Sequence, residues 1–209
     1  MILTETGIQQ NKERFISIVN SISREGFNKD LLLNDLENSD WYYAPATTKY
    51  HDSFKGGLVN HSLKVYDNMS FIVNKYNSNM WECNPDSIKI VSLFHDISKM
   101  NYYEIYYRNQ KVYSEYGSKV DDGGRYDWKQ VAEYKTRDIQ ERFIYCNHEV
   151  TSEFIIRQYM PLSTEESIAI LHHHGGTSED SIKDTVPSIY SRYPLALLLH
   201  VSDMISSYL

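Results

Sequence analysis

Residues 92–99, SLFHDISK, contain the pair of side chains from which the fold and chemistry of this chain are best approached. Apolar residues at helical spacing, among them Ile88 and Val91, predict a helix whose stripe ends at His95, with Asp96 directly after it. An imidazole nitrogen beside a carboxylate oxygen suits a first-row divalent metal, and a carboxylate can bridge two metals. Because a His-Asp pair alone is common at ordinary helix ends, a metal site would require further ligand residues elsewhere in the chain.

Further candidate ligand residues occur in four other segments of the chain. His61 follows the start of a predicted helix near Leu58, His148 follows a long predicted loop, His173 ends the run IAILHHH, and Asp203 lies within PLALLLHVSDM. Asp203 is the most informative, because a carboxylate in an apolar run is costly to bury unless it is paired or bound to a cation. The alternative is an exposed carboxylate near the end of the sequence.

Helical spacing extends along most of the chain and predicts a single all-α domain over 1–209. The predicted helices are a first one through Ile8, Phe15 and Ile22, then 31–36, 58–76, one after Pro85, 148–159, 163–173 and 194–208. Residues 42–57 predict a loop. Residues 101–117, rich in tyrosine, predict a β-hairpin, and residues 118–147 predict a long loop with a short helix near 129–134. We expect residues 1–48 to form a helical N-terminal cap on a metal-binding core over 49–209.

Composition narrows the class of protein. The formal net charge of -7 and a pI near 5.6 argue against a large basic surface for nucleic acid, while a small anionic substrate remains compatible. Cys83 and Cys146 show no paired spacing, so neither a disulfide framework nor a thiolate zinc site is indicated. Without a signal-peptide pattern or a long apolar run, the sequence predicts a cytoplasmic protein with no membrane partner.

The order of these residues resembles the HD-domain metal-dependent phosphohydrolase superfamily. The blocks HDSFKGGLVNHSLKVY, SLFHDISKMNYY, ILHHHGG and PLALLLHVSDM are similar to the HD module of bacterial exoribonucleases that trim RNA from its 3' end and to small stand-alone HD hydrolases. The resemblance covers residues 49–209 and implies an HD-domain helical bundle, with the hairpin of about 101–117 as an insertion. It also implies that one metal is held by His61, His95, Asp96 and Asp203, and a second by His148 and His173 with Asp96 bridging.

The resemblance leaves one position of the metal set open. Within His172, His173 and His174, the spacing from Ile170 and Gly175 favours His173 as the ligand, although a shift by one residue is an alternative. In that arrangement His174 faces the substrate.

Three residues are candidates for the catalytic machinery. Asp96 is the bridging ligand, and Lys99, three residues later, is a candidate cation for negative charge that develops on the phosphoryl group. His51 matches a histidine of the similar proteins and is a candidate to contact phosphate or protonate the leaving group. A solvated lysine at a helix end and an ordinary loop histidine are the alternatives.

Two tyrosines are candidates for substrate binding. Tyr102 and Tyr103 follow the metal motif directly and could stack a nucleobase. The other tyrosines of the tract are better explained as cross-strand pairs that stabilise a hairpin. His200, one turn before Asp203, could support a ligand or fill the core.

These residues predict a metal-dependent phosphohydrolase that cleaves a phosphoester of a nucleotide or short nucleic acid with a metal-activated water. The expected cofactors are one or two divalent ions of Mn, Fe, Co, Ni or Zn, and the expected partner is a small phosphorylated substrate. The alternatives are a 3'-end exonuclease acting on RNA or single-stranded DNA, a non-catalytic nucleotide-binding protein, and a diiron oxygenase on the same scaffold.

Overall fold

The computed structural model describes residues 3–76, 83–143, 146–175 and 186–209. In these ranges the chain forms eight α-helices and one three-stranded antiparallel sheet, and the fold is 53% helical. The helices are α1 (Glu5–Asn20), α2 (Lys29–Glu37), α3 (Gly57–Tyr76), α4 (Pro85–Phe94), α5 (His148–Ile156), α6 (Thr164–Leu171), α7 (Val186–Arg192) and α8 (Pro194–Tyr208). The strands are β1 (Tyr103–Tyr113), β2 (Lys119–Asp121) and β3 (Gly124–Thr136), and short 3₁₀ turns cover Ile97–Lys99 and Ile139–Glu141.

Helix α3 is the central helix and packs against α8, α4 and α1. Its buried residues Leu58, His61, Val65 and Met69 recur every three or four positions, so they share one face of the helix. The imidazole of His61 therefore lies on the face that builds the hydrophobic core. A polar ring in that position needs a polar partner inside the protein.

The N-terminal segment packs directly on the helix that ends at His95. Phe15 on α1 is fully buried, and its ring meets the ring of Phe94, the last residue of α4, edge-on at 5.7 Å between centroids. The Trp41 ring lies 5.7 Å from the same Phe15 ring. These contacts fix the end of α4, and with it the position of the His-Asp pair.

The loop before α3 depends on one glycine. A β-carbon on Gly57 would lie 1.9 Å from the carbonyl oxygen of Asp52, so only glycine allows this close approach. Asp52 itself has a positive φ of 45°, and its buried carboxylate accepts hydrogen bonds from Asn60 and Lys64. This folded turn fixes the backbone next to His51, beside the first turn of α3.

The sheet differs from the sequence-based prediction. The segment 101–117 was expected to form a hairpin by itself, but it supplies the single strand β1, which pairs along its whole length with β3. The long loop of 118–147 with a short helix at 129–134 is also wrong, because β2 and β3 occupy most of that segment; residues 144–145 lie outside the described ranges. The two residues of the tight turn are Asp122 and Gly123, between β2 and β3, and the polar residues at the centre of β1 form no turn.

The predicted helices are confirmed to within a few residues, and the loop of 42–57 is confirmed up to Gly57. Helix α7 was not expected from the sequence. The all-α class needs correction, because the three-stranded sheet makes this a mixed, mainly helical fold. None of the described helices combines the length and apolar character that a membrane crossing requires.

Candidate metal centre

Five elements bring the histidines and aspartates of the sequence analysis together. His61 comes from α3, the pair His95 and Asp96 from the end of α4, His148 from the start of α5, His173 from the end of α6 and Asp203 from α8. The imidazole centroids of neighbouring histidines lie 5.4 Å apart for His61 and His95, and 5.0 Å for His95 and His173. The structure thus brings the six proposed metal ligands into one cluster.

Two of these histidines are fixed by the helix ends on which they lie. The last carbonyl groups of an α-helix have no partner within the helix. The Nδ1 atom of His95 lies 3.0 Å from the carbonyl oxygen of Ser92, and that of His173 lies 2.7 Å from the carbonyl oxygen of Ile170. Because a carbonyl oxygen only accepts, Nδ1 carries the proton in both rings and Nε2 is left as a free electron-pair donor.

Asp96 lies between two groups of imidazoles and divides its oxygens between them. Its Oδ2 atom is 3.5 Å from Nε2 of His95 and 3.9 Å from Nε2 of His61. Its Oδ1 atom is 3.9 Å from Nε2 of His173 and 4.0 Å from Nε2 of His148. We call the Oδ2 side, with His61, His95 and Asp203, the inner half of the centre, and the Oδ1 side, with His148, His173 and His174, the outer half.

The inner half is enclosed by the core. His61, His95 and Asp203 are all buried, and their ligand atoms lie within 4.8 Å of one another. The Nε2 atom of His61 is 3.0 Å from Oδ1 of Asp203. Nε2 of His95 is 3.9 Å from the same oxygen. Donors that each approach a metal to about 2.0–2.2 Å lie within roughly 4.4 Å of one another, so these two distances to Asp203 suit one divalent ion.

The outer half opens to solvent and includes a carboxylate that the sequence analysis missed. The side chains of His148 and His174 are 32% and 46% exposed. Buried Glu149 lies between them, with Oε2 at 3.2 Å from Nδ1 of His148 and Oε1 at 3.1 Å from Nδ1 of His174. Nδ1 of His174 therefore donates to Glu149, Nδ1 of His148 lies beside its other oxygen, and both Nε2 atoms are directed away from the carboxylate. A glutamate next to a histidine is too common a pattern to signal this role.

The backbone also connects the two halves. Ser98, in the 3₁₀ turn after Asp96, donates its hydroxyl to the carbonyl oxygen of His148 at 3.0 Å. The Ser152 hydroxyl donates to the Ser98 hydroxyl at 2.9 Å. These contacts hold the start of α5 against the turn that carries Asp96.

Several buried polar atoms of the cluster lack a hydrogen-bond partner among the described residues. Nδ1 of His61 is one, and the four that face the centre are Nε2 of His95, His148 and His173, and Oδ1 of Asp96. Leaving a buried polar atom unpaired costs about 1–3 kcal/mol. All four atoms are directed into the same space, so the cluster fits one or two divalent metal ions bound by imidazole and carboxylate groups.

Electrostatics keep the ligands in the protonation states that metals require. Burial raises the pKa of Asp96, but the positive charge of Lys99 and the neighbouring imidazoles outweigh it and lower that pKa well below the ordinary value. Burial lowers the pKa of His173 to about 3 and also lowers the pKa of His95. Ionised carboxylate and neutral imidazole are the forms that bind a metal.

The two other catalytic candidates also lie at the inner half. The ammonium group of Lys99 is 2.7 Å from Oδ2 of Asp96 and mostly buried. The His51 ring lies 4.8 Å from the His61 ring, and burial lowers its pKa to about 4. Its Nε2 atom is 3.5 Å from the Ser207 hydroxyl.

The substrate-binding candidates lie in different environments. His174 lies over the centre, with Nε2 3.6 Å from Oδ2 of Asp203, and belongs with His148 and His173 to a group that could hold a metal ion. The Tyr102 hydroxyl accepts a hydrogen bond from Arg142 at 2.7 Å, so this ring has a structural partner. Tyr103 begins β1, and its ring packs edge-on against Tyr102.

The remaining histidines have separate contacts. Nδ1 of His200 donates to the carbonyl oxygen of His173 at 2.6 Å, and the His200 ring stacks on Tyr190, so His200 supports the segment that carries His173. His172 is only partly buried and is not part of the ligand groups found among the described residues.

No protein family model, curated protein or solved structure matches this chain significantly. Its function is therefore inferred from the geometry of the centre.

Proposed function

We propose that this chain is a metal-dependent phosphohydrolase of the HD type, which cleaves a phosphoester of a nucleotide or short nucleic acid. The observation that carries the proposal is the division of Asp96 between two groups of imidazoles, with buried Nε2 atoms that lack a partner at His95 on one side and at His148 and His173 on the other. A bridging carboxylate with nitrogen donors on both sides is typical of a site for two metals about 3.5–4 Å apart.

The ligands assign each half a separate role. His61, His95, Asp96 and Asp203 would hold an ion in the enclosed inner half, while His148, His173 and Asp96 would hold one in the open outer half. Ions bound there would supply a water of lowered pKa and neutralise charge on the phosphoryl oxygens. Because the outer half faces solvent, the substrate phosphate would enter from that side.

The protein's own groups complete the site. Lys99 keeps Asp96 ionised and places a fixed cation beside the centre. His174, which donates from Nδ1 to Glu149, presents Nε2 to the open side. It can donate to a bound phosphoryl oxygen when its ring is protonated, and the carboxylate of Glu149 favours that form by raising the pKa of His174 against the effect of burial.

The decisive experiment compares adjacent histidines of one triplet. Purified protein is analysed for metal and assayed with Mn, Co, Ni and Mg on a panel of mononucleotides, cyclic nucleotides and short oligonucleotides. We expect close to two equivalents of metal and phosphate or nucleotide release. His173→Ala should lose metal and activity, whereas His172→Ala should keep both. Equal behaviour of the two variants, or no metal under any loading condition, would contradict the proposal.

A further inference from the structure

The three-stranded sheet extends away from the helical body. Its strands pack mainly on one another, with β3 in the middle and β1 and β2 at the edges. β1 begins at Tyr103, four residues after Lys99, so the sheet starts beside the metal centre and leads away from it. At about 3.4 Å per residue, an 11-residue strand extends roughly 35 Å.

The two faces of the sheet differ in chemistry. Residues that pair across two antiparallel strands lie on the same face of the sheet, so the pairing register assigns each residue to one of the two faces. One face carries ion pairs: Lys135 lies 2.8 Å from Glu104, and Arg108 lies 2.6 Å from Glu133. The other, which we call the aromatic face, carries Tyr103, Ile105, Tyr107, Lys111, Tyr113, Tyr126, Trp128 and Tyr134.

The aromatic face is exposed where such a face would normally be buried against a core. Tyr107 lies opposite the small residue Ala132 and is 66% exposed, while Tyr113 and Trp128 are each 50% exposed. At the outer end, the Tyr126 ring meets Trp128 edge-on at 6.0 Å, and the Lys111 ammonium lies 4.5 Å from the Tyr126 ring centroid. The rings at the outer end therefore pack on one another and stabilise the sheet, while part of their surface stays exposed. Tyr107 is the most exposed ring of the aromatic face.

The aromatic face is continuous with the surroundings of the metal centre. At its base, Tyr103, Ile105 and Tyr134 line a cavity of about 300 Å³. The opposite wall includes Tyr43 and Pro45, from the loop segment 42–57 that also carries His51. The base of the aromatic face thus lies against the loop segment that carries His51, and β1 begins four residues after Lys99.

Charge separates the sheet from the rest of the protein. Six basic and six acidic residues lie between positions 103 and 136, so this segment is neutral and the net charge of -7 belongs to the rest of the chain. The sheet therefore contributes no net negative charge that would repel a polyanion.

We propose that the aromatic face binds single-stranded nucleic acid by base stacking and leads the end of the strand to the metal centre, the second part resting on the proposed function. Aromatic side chains accept the face of any base, whereas paired bases in a duplex are not available for stacking. Lys119 lies on this face opposite Tyr126 and can contact a phosphate, whereas the ammonium group of Lys111 is paired with Asp121. With so few cations, log Kd should change with log salt by a slope of only about 1.

The test compares neighbouring tyrosines on opposite faces. Binding of a fluorescent single-stranded decamer is measured by anisotropy on metal-free protein, so that no cleavage occurs. Tyr107→Ala and Trp128→Ala should each weaken binding about tenfold or more. Tyr106→Ala, which removes a tyrosine from the charged face, should change Kd by less than about twofold. Trp128→Phe should retain most of the affinity, which separates loss of stacking from misfolding.

The inference would be overturned by the absence of decamer binding to the parent protein, by equal losses in Tyr106→Ala and Tyr107→Ala, or by tighter binding of a duplex than of a single strand. A dimer in sedimentation that Tyr107→Ala dissociates, without an effect on the decamer, would instead assign the face to self-association. Mononucleotide hydrolysis without ring-dependent binding would overturn this inference alone and leave the proposed function standing.

Discussion

The two halves of the metal centre share Asp96 but differ in how the protein encloses them. The inner half has His61, His95 and Asp203 on or beside core helices, with every ligand buried. The outer half has His148 and His174 partly exposed and held by Glu149. The comparison indicates that core packing organises the inner half, whereas a local carboxylate organises the outer half. We therefore expect the inner ion to exchange slowly and the outer ion to exchange with solvent and substrate.

Removing the shared ligand should abolish the distinction between the halves. Asp96→Asn keeps the shape of the side chain but removes the charge that faces both groups of imidazoles. We expect metal content to fall below one equivalent and hydrolysis to fall on the order of a thousandfold or more. Elemental analysis and initial rates measure this.

Asp52→Asn is the matched control for this substitution. Asp52 is also buried and also accepts from a lysine, Lys64 at 3.0 Å, but it lies outside the ligand groups found in the described residues. It should keep both metals. Two equivalents of metal in Asp96→Asn would show that the carboxylate is not shared.

Removing an outer ligand should empty one half only. His148→Ala takes one nitrogen from the outer ion and none from the inner one. We expect bound metal to fall by about one equivalent, while the inner ion stays bound after extensive dialysis. Unchanged stoichiometry would remove His148 from the centre, and loss of both ions would show that the halves cannot be filled separately.

Loosening the outer half without removing a ligand should have a smaller effect. Glu149→Gln leaves His148 and His174 in place but replaces the carboxylate that accepts from Nδ1 of His174 and lies beside Nδ1 of His148. Losing such an outer contact typically weakens metal affinity about 10–100-fold. Competition with a chelator should show this loss for one of the two ions. Glu153→Gln, on the same helix but paired with Arg157, should leave both affinities unchanged.

Proton linkage should separate two adjacent histidines of the outer half, buried His173 and half-exposed His174, in metal-free protein. Burial keeps His173 neutral and lowers its pKa to about 3, so between pH 6.5 and 3 the unfolded chain binds more protons at this residue. Stability therefore falls with decreasing pH in that window, by about 1.4 kcal/mol per pH unit for one such histidine. His174 has the opposite sign: although burial opposes it, Glu149 raises the pKa, so its contribution is present below pH 6.5 and lost above the raised pKa.

Urea unfolding between pH 7 and 4 checks these signs. His173→Gln should flatten the dependence of the unfolding free energy on pH, because it removes a group that takes up a proton on unfolding. His174→Gln should make the loss of stability towards low pH steeper. The same change of slope in both variants would contradict the assigned environments.

Much of the fold could be predicted because the relevant signals are local. The apolar residues of α3 recur at helical spacing with His61 among them, and Pro194 marks the start of α8. The sheet could not be predicted in the same way, because its pairing is not local. Arg108, at the centre of the expected hairpin turn, pairs with Val131 more than twenty residues later. The alternation of Tyr126, Trp128 and Tyr134 with polar residues was the missed signal for β3.

The sequence by itself determined the helices, the residue types of the cluster and the order of its histidines and aspartates along the chain. Tertiary structure decided which oxygen of Asp96 faces which imidazoles, that His173 rather than His172 lies in the cluster, and that Glu149 orients the outer half. The physical reason is that a helix is specified by contacts three or four residues apart. A metal centre instead depends on atoms from five elements meeting within about 5 Å, and only the packing of the core fixes those distances.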